Sequence, residues 1–153
     1  MTNLSITANE TTRSASSDRA SQADSSSKAG RNLRLVLRAN AFTSGLAGAV
    51  GLIGASYWSE RLGIDNVAVT AIVSIGLLIF AADVVWASRA SDDRLPNQAL
   101  LVSIADIMWV VASAIVVGLG ILTTFGTVAA IVIAVGVADF AALQLWFRSR
   151  LSS

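Results

Sequence analysis

Four apolar runs, each about twenty residues long, constrain this chain more than anything else in it. They extend from about Leu35 to Tyr57, Val67 to Ala87, Ala99 to Leu119 and Phe125 to Phe147, and charges, turn residues or proline bound them. Twenty residues of helix rise about 30 Å, the thickness of a bilayer's hydrocarbon core. A soluble four-helix bundle is the competing arrangement, but it needs a polar stripe along every helix. Ala68 to Ala82 has only Thr70 and Ser74 as polar breaks, and Thr127 to Ala138 has only Thr127. The pattern predicts an all-α membrane protein: an up-down bundle of four transmembrane helices.

Composition agrees. Of 153 residues, 54% are hydrophobic and only 14% charged, against about 25% charged in ordinary soluble domains. There is no Cys and no His. Disulfides, thiol catalysis, zinc sites of the Cys/His kind, His-ligated haem and Ser-His-Asp chemistry are therefore excluded. No cofactor or metal is expected.

Residues 1–30 differ from the rest. They hold eight Ser and four Thr, and no Phe, Trp, Tyr or Val. Such a segment buries too little apolar surface to offset the entropy of ordering, so a disordered tail is expected. It lacks the apolar run of a secretory signal. A mitochondrial transit peptide is the competing reading, weakened by the acidic Glu10, Asp18 and Asp24. The remaining residues, 31–153, suffice for four spans and short loops but for no soluble domain.

Basic residues set the orientation. Arg13, Arg19, Lys28, Arg31, Arg34, Arg38, Arg89, Arg94, Arg148 and Arg150 fall on one side of the predicted spans, and only Arg61 on the other. The positive-inside rule then places both termini in the cytoplasm. Lys28, Arg31, Arg34 and Arg38 cluster just before the first span. Binding of anionic lipid or nucleic acid would use such a cluster, but a topology signal is the plainer reading, and no nucleic-acid partner is expected. Trp58, Trp86 and Trp146 fall at span ends, where interfacial tryptophan is expected. Asp65 or Asn66 can cap the second helix, and Thr123 or Thr124 the fourth. Gly118 and Gly120 close the third, and Pro96 lies in the loop before it.

An internal duplication of a two-helix hairpin is expected. At an offset of sixty, Gly76, Phe80, Ala81, Ala82 and Trp86 match Gly136, Phe140, Ala141, Ala142 and Trp146. More weakly, Leu35, Ala39 and Asn40 face Leu101, Ala105 and Asp106. Two such hairpins share one orientation and are related by an axis along the membrane normal.

The polar residues inside the spans are the informative ones. Asp83, Asp106 and Asp139 sit about 9–14 Å from the cytoplasmic boundary at 1.5 Å rise per residue, and Asn40 reaches a similar level. Each helix thus brings one polar side chain to one layer, expected to face the bundle interior. Small residues form stripes at helical spacing: Gly45, Gly48, Gly51 and Gly54 in the first span, and Gly126, Ala130, Ala134 and Ala138 in the fourth. They are expected to pack helices closely. The carboxylates admit two readings. They are structural, hydrogen-bonded to Asn40, Ser44, Ser103 or carbonyls; or they form a proton or cation relay.

The stretch Leu33 to Ala55, LRLVLRANAFTSGLAGAVGLIGA, together with the later AADVVWASR, resembles small four-span integral membrane proteins of bacteria. The resemblance implies a compact bundle in a bacterial inner membrane and brings no activity with it. Small multidrug transporters also have four spans but rely on a Glu in the first helix, which is absent here. The expected function is non-enzymatic: a helical bundle in the lipid bilayer acting by association, with itself or with a membrane partner. The alternative is a proton- or cation-coupled carrier or channel using the intramembrane Asp residues. The spans offer no nucleophile–base pair and no metal-ligand cluster for an enzyme.

Overall fold

A computed structural model of the chain describes the backbone of residues 3–151 and the side chains of Gln22 and residues 24–151. It comprises five helices: α1 (Asn3–Ile53), α2 (Ala55–Leu62), α3 (Val67–Ala87), α4 (Leu95–Gly118) and α5 (Thr124–Ser149). No strand occurs among the described residues. Among the described residues, four stretches are long and apolar enough to cross a membrane: Asp24–Ile53 of α1, and all of α3, α4 and α5. The chain is a multi-pass, all-α membrane bundle. The disorder expected over residues 1–30 concerns, up to residue 23, side chains outside the described residues. From Asp24 to Gly30 the chain is helical, and Ala29 is already buried.

Local chemistry sets the helix boundaries. Asn66 Oδ1 accepts from the Ala68 amide at 2.9 Å, and Thr123 Oγ1 from the Gly126 amide at 3.0 Å. Each satisfies one of the amides a helix start leaves unpaired. Pro96 is not in the loop but in the first turn of α4. Its missing amide has no intrahelical partner there, and its fixed φ suits a helix start. The first span also differs from expectation. Helix α1 stops at Ile53, and α2 follows after Gly54, which has φ −101° and ψ 26°. The backbone ladder still crosses the break, with Gly54 N donating to Val50 O at 3.1 Å and Trp58 N to Gly54 O at 2.9 Å. A Cβ at Gly54 would lie 3.0 Å from Trp58 Cδ1, so the indole occupies the space that the glycine leaves. The result is a kink at a glycine.

The bundle is layered along the membrane normal. At the end where α3 leads into α4, Leu33, Leu37, Ala41, Val84, Ala87, Leu95, Ala99 and Val102 form one apolar core, with Phe80, Phe147 and Leu151 against it. Arg34 ties this end to the loop after α3, donating to Ser88 O and to Asp92 Oδ1 at 2.7 Å each. Arg148 Nε donates to Pro96 O at 3.0 Å. At the opposite end, Ser59 and Thr70 hydroxyls bond at 2.7 Å across α2 and α3. There the Thr123 hydroxyl donates to Arg61 O at 2.6 Å, and the Thr123 amide to Leu62 O at 3.0 Å. Between these layers lies a polar one.

The closest helix pairs are α1 with α3 and α4 with α5, and the two hairpins meet mainly through α1 and α5. Three of the glycines expected to pack helices do so on α3. A Cβ on Gly48 would meet Ser74 O at 2.8 Å, one on Gly51 would meet Ser74 Oγ at 2.5 Å, and one on Gly45 would touch Ala81 at 3.4 Å. Gly126 packs on the Leu62 backbone, 2.5 Å from its carbonyl oxygen by the same measure. The others behave differently. Gly54 makes the kink. Ala130 and Ala134 are half-buried and Ala138 is exposed, so the fourth-residue Ala stripe of α5 turns out of the bundle along its length. At 100° per residue, a stripe of period four drifts round a 3.6-residue helix.

Candidate functional site

The polar layer is built from three helices. α1 brings Asn40 and Ser44, α4 brings Ser103 and Asp106, and α5 brings Gln144. All five side chains are buried. Asn40 Nδ2 donates to Asp106 Oδ2 at 2.8 Å, and Gln144 Nε2 donates to the same oxygen at 3.1 Å. Ser103 Oγ lies 3.0 Å from Gln144 Oε1 and 2.8 Å from Ala99 O, and its proton serves either acceptor. Ser44 Oγ donates to Asn40 Oδ1 at 3.3 Å. No buried side-chain nitrogen or oxygen among the described residues lacks a partner.

Helical spacing explains this arrangement. Asn40 and Ser44 are one turn apart, as are Ser103 and Asp106, so each pair shares a face. Those faces turn inward because an unpaired amide or carboxyl costs several kcal/mol against hydrocarbon. The chemistry is that of a clamp: two amide donors converge on one carboxyl oxygen, and each amide oxygen has a hydroxyl beside it. The network contains no nucleophile–base pair. No group of three His, Cys, Asp or Glu side chains able to hold a metal occurs among the described residues.

Of the four residues expected in one layer, the structure brings two together, Asn40 and Asp106. Asp83 and Asp139 are both exposed and take no part in the network. Equal depth along the membrane normal does not imply a shared facing. Asp83 lies one residue before the fully buried Val84, and Asp139 lies two before the buried Ala141. A step of one or two residues turns a side chain by 100° or 200°. Asp83 lines the gap between α3 and α4. Asp139 stands on the outer side of α5 and makes no hydrogen bond to another described residue.

The residue missed in the sequence is Gln144, which is wholly buried. It is an uncharged polar group four residues before Arg148, and so close to a span end it reads as interfacial. The signal was its position in an apolar helix, the same one that singled out Asn40.

No protein-family model, curated protein or solved structure matches the chain.

Proposed function

We propose that this chain is a non-enzymatic bundle of a bacterial inner membrane, with both termini cytoplasmic, that acts by association through the outer face of α5. The observation that carries this is the exposed carboxyl of Asp139. It lies nine residues before Arg148, about 13 Å along the helix from that basic end. An ionisable side chain at that depth is costly against lipid and calls for a polar partner. The surrounding face fits helix contact. Val128, Val132, Val135, Asp139, Ala142 and Trp146 are all exposed at alternating spacings of four and three. That is the seam of a left-handed helix pair, in which one polar position sets the register. Gly136 beside it has open space where a Cβ would be, so a second helix can approach closely.

The sequence's basic asymmetry supports the orientation. Duplication belongs to the same reading. Sixty residues apart, Ala81 and Ala141 are both buried, as are Val84 and Gln144, while Gly76 and Gly136, and Trp86 and Trp146, are all exposed. A relay through three carboxylates has less support, because Asp106 is enclosed by amides, Asp83 lines the separate crevice between α3 and α4, and Asp139 is on the outer side of α5.

The test is sizing in nanodiscs combined with cross-linking of a Val135→Cys variant, clean because the chain has no native cysteine. Wild-type protein should self-associate or retain a membrane partner. Asp139→Leu should weaken that association by roughly tenfold or more. A monomer with no cross-linked partner would overturn the reading.

A further inference from the structure

Helices α3 and α4 are consecutive in the chain, yet they touch only over a short stretch. A crevice of about 440 Å³ separates them, within the size range of small-molecule sites. The two hairpins meet elsewhere through α1, which packs on α5 and whose Asn40 reaches Asp106 of α4. Val84, the fully buried residue of α3 next to Asp83, is apolar, so it makes no such bond to α4. The crevice is what remains open on that side.

Its walls carry a specific chemistry. Phe80, Leu101 and Ala105 are apolar, and Asp83 lines the space among them. Asp83 is exposed and makes no hydrogen bond or ion pair with another described residue. Phe80 and Trp86 stand three residues before and after it, one turn away and about 60° to either side of it round α3, so aromatic side chains flank the carboxyl. Arg94, the other charged residue of the lining, immediately precedes α4, and Ser91 and Gln98 are the polar uncharged ones.

An acyl chain filling this space would leave the carboxyl unpaired, and an anionic headgroup would be repelled by it. A cation on an apolar body suits the walls around Asp83: the charge pairs with the carboxyl, Phe80 and Trp86 lie close by for the cation, and the body displaces lipid from Leu101 and Ala105. We propose that the crevice between α3 and α4 binds an amphipathic organic cation, with Asp83 as its counter-ion. This site is separate from the α5 face, and the two are tested by different residues.

The experiment is equilibrium dialysis of tetraphenylphosphonium against the full chain in phosphatidylcholine nanodiscs. Binding should saturate at one per chain. Asp83→Asn should weaken it by about tenfold or more, and Asp139→Asn should stay within about twofold. Ala105→Trp fills the crevice without altering charge and should also abolish binding, so the proposal is decided even if the Asp83 variant fails to fold. Non-saturable uptake, or equal affinity in the Asp83 and Asp139 variants, would overturn it. So would binding of dodecyl sulfate that depends on Arg94, or disulfide cross-linking of Leu101→Cys between copies, which would make the crevice a protein contact. Loss of self-association with cation binding intact would fault the α5 reading alone.

Discussion

Asp106 is held by two neutral amides, one from each of the helices that flank α4. In a soluble protein a buried carboxyl usually finds a cation or backbone amides. Here the only cations lie at the span ends, so side-chain amides take that role. Asp106→Ala would leave Asn40 Nδ2 and Gln144 Nε2 buried without an acceptor. We expect it to destabilise the bundle by about 2 kcal/mol, since membrane hydrogen bonds contribute less than the full price of an unsatisfied group. Asp106→Asn retains an acceptor oxygen and should cost less than half as much. Asp83→Ala removes an exposed side chain and should stay within about 0.5 kcal/mol of wild type. Unfolding in mixed micelles, followed by tryptophan fluorescence, measures all three. Equal losses for Asp106→Ala and Asp83→Ala would contradict the burial difference. At this scale the sequence made Asn40 and Asp106 legible, because a polar residue in an apolar run is conspicuous. Gln144 was less so because it sits near a charged end, and the facings of Asp83 and Asp139 depend on where neighbouring helices lie.

At the scale of elements, helix α1 and helix α3 approach through glycine. Their contact is the part of the fold that small-residue spacing described best. Gly48→Val should place a branched side chain against Ser74 O and Leu78, with backbone on one side that cannot yield. Overpacking of this kind costs about 1–3 kcal/mol. Gly136→Ala meets nothing within 4 Å and gains helix propensity, so it should stabilise the monomer by up to about 1 kcal/mol. The same unfolding measurement separates them, and a stabilising Gly48→Val would remove the close-packing account. Small-residue spacing separates them in part, since Gly48 belongs to the glycine stripe of the first span and Gly136 to no stripe. Which one meets a neighbour depends on which side the neighbour occupies. The kink at Gly54 was hidden for a similar reason: a glycine in a span favours packing and bending alike, and Trp58 decides between them.

For the whole molecule, the bundle is uneven. One hairpin meets the other through α1 and α5, with Asn40, Asp106 and Gln144 at the centre, while α3 and α4 stand apart around a crevice. Arg34 joins α1 to the loop after α3, and Arg148 joins α5 to the first turn of α4, at the end that carries most of the basic residues. We expect Ser27→Cys to react with an impermeant maleimide only from the cytoplasmic side, and Asp65→Cys only from the opposite side, in sealed vesicles of each orientation. Labelling of both from one side would break the four-span topology, and a clean reversal would invert the positive-inside assignment.

Four spans, their approximate ends, their cap positions to within one residue (Asp65 or Asn66, Thr123 or Thr124), and the presence of costly polar groups inside them were determined by the sequence. These follow from local quantities: the length of an apolar run, the hydrogen-bonding needs of a helix start, and the cost of a polar group in hydrocarbon. Only the tertiary structure decided which polar groups meet, which small residues are contacts, and where the bundle stays open. Those depend on the rotation of each helix about its own axis. In apolar helices with little polar contrast around their circumference, that rotation is fixed by the neighbours they pack against.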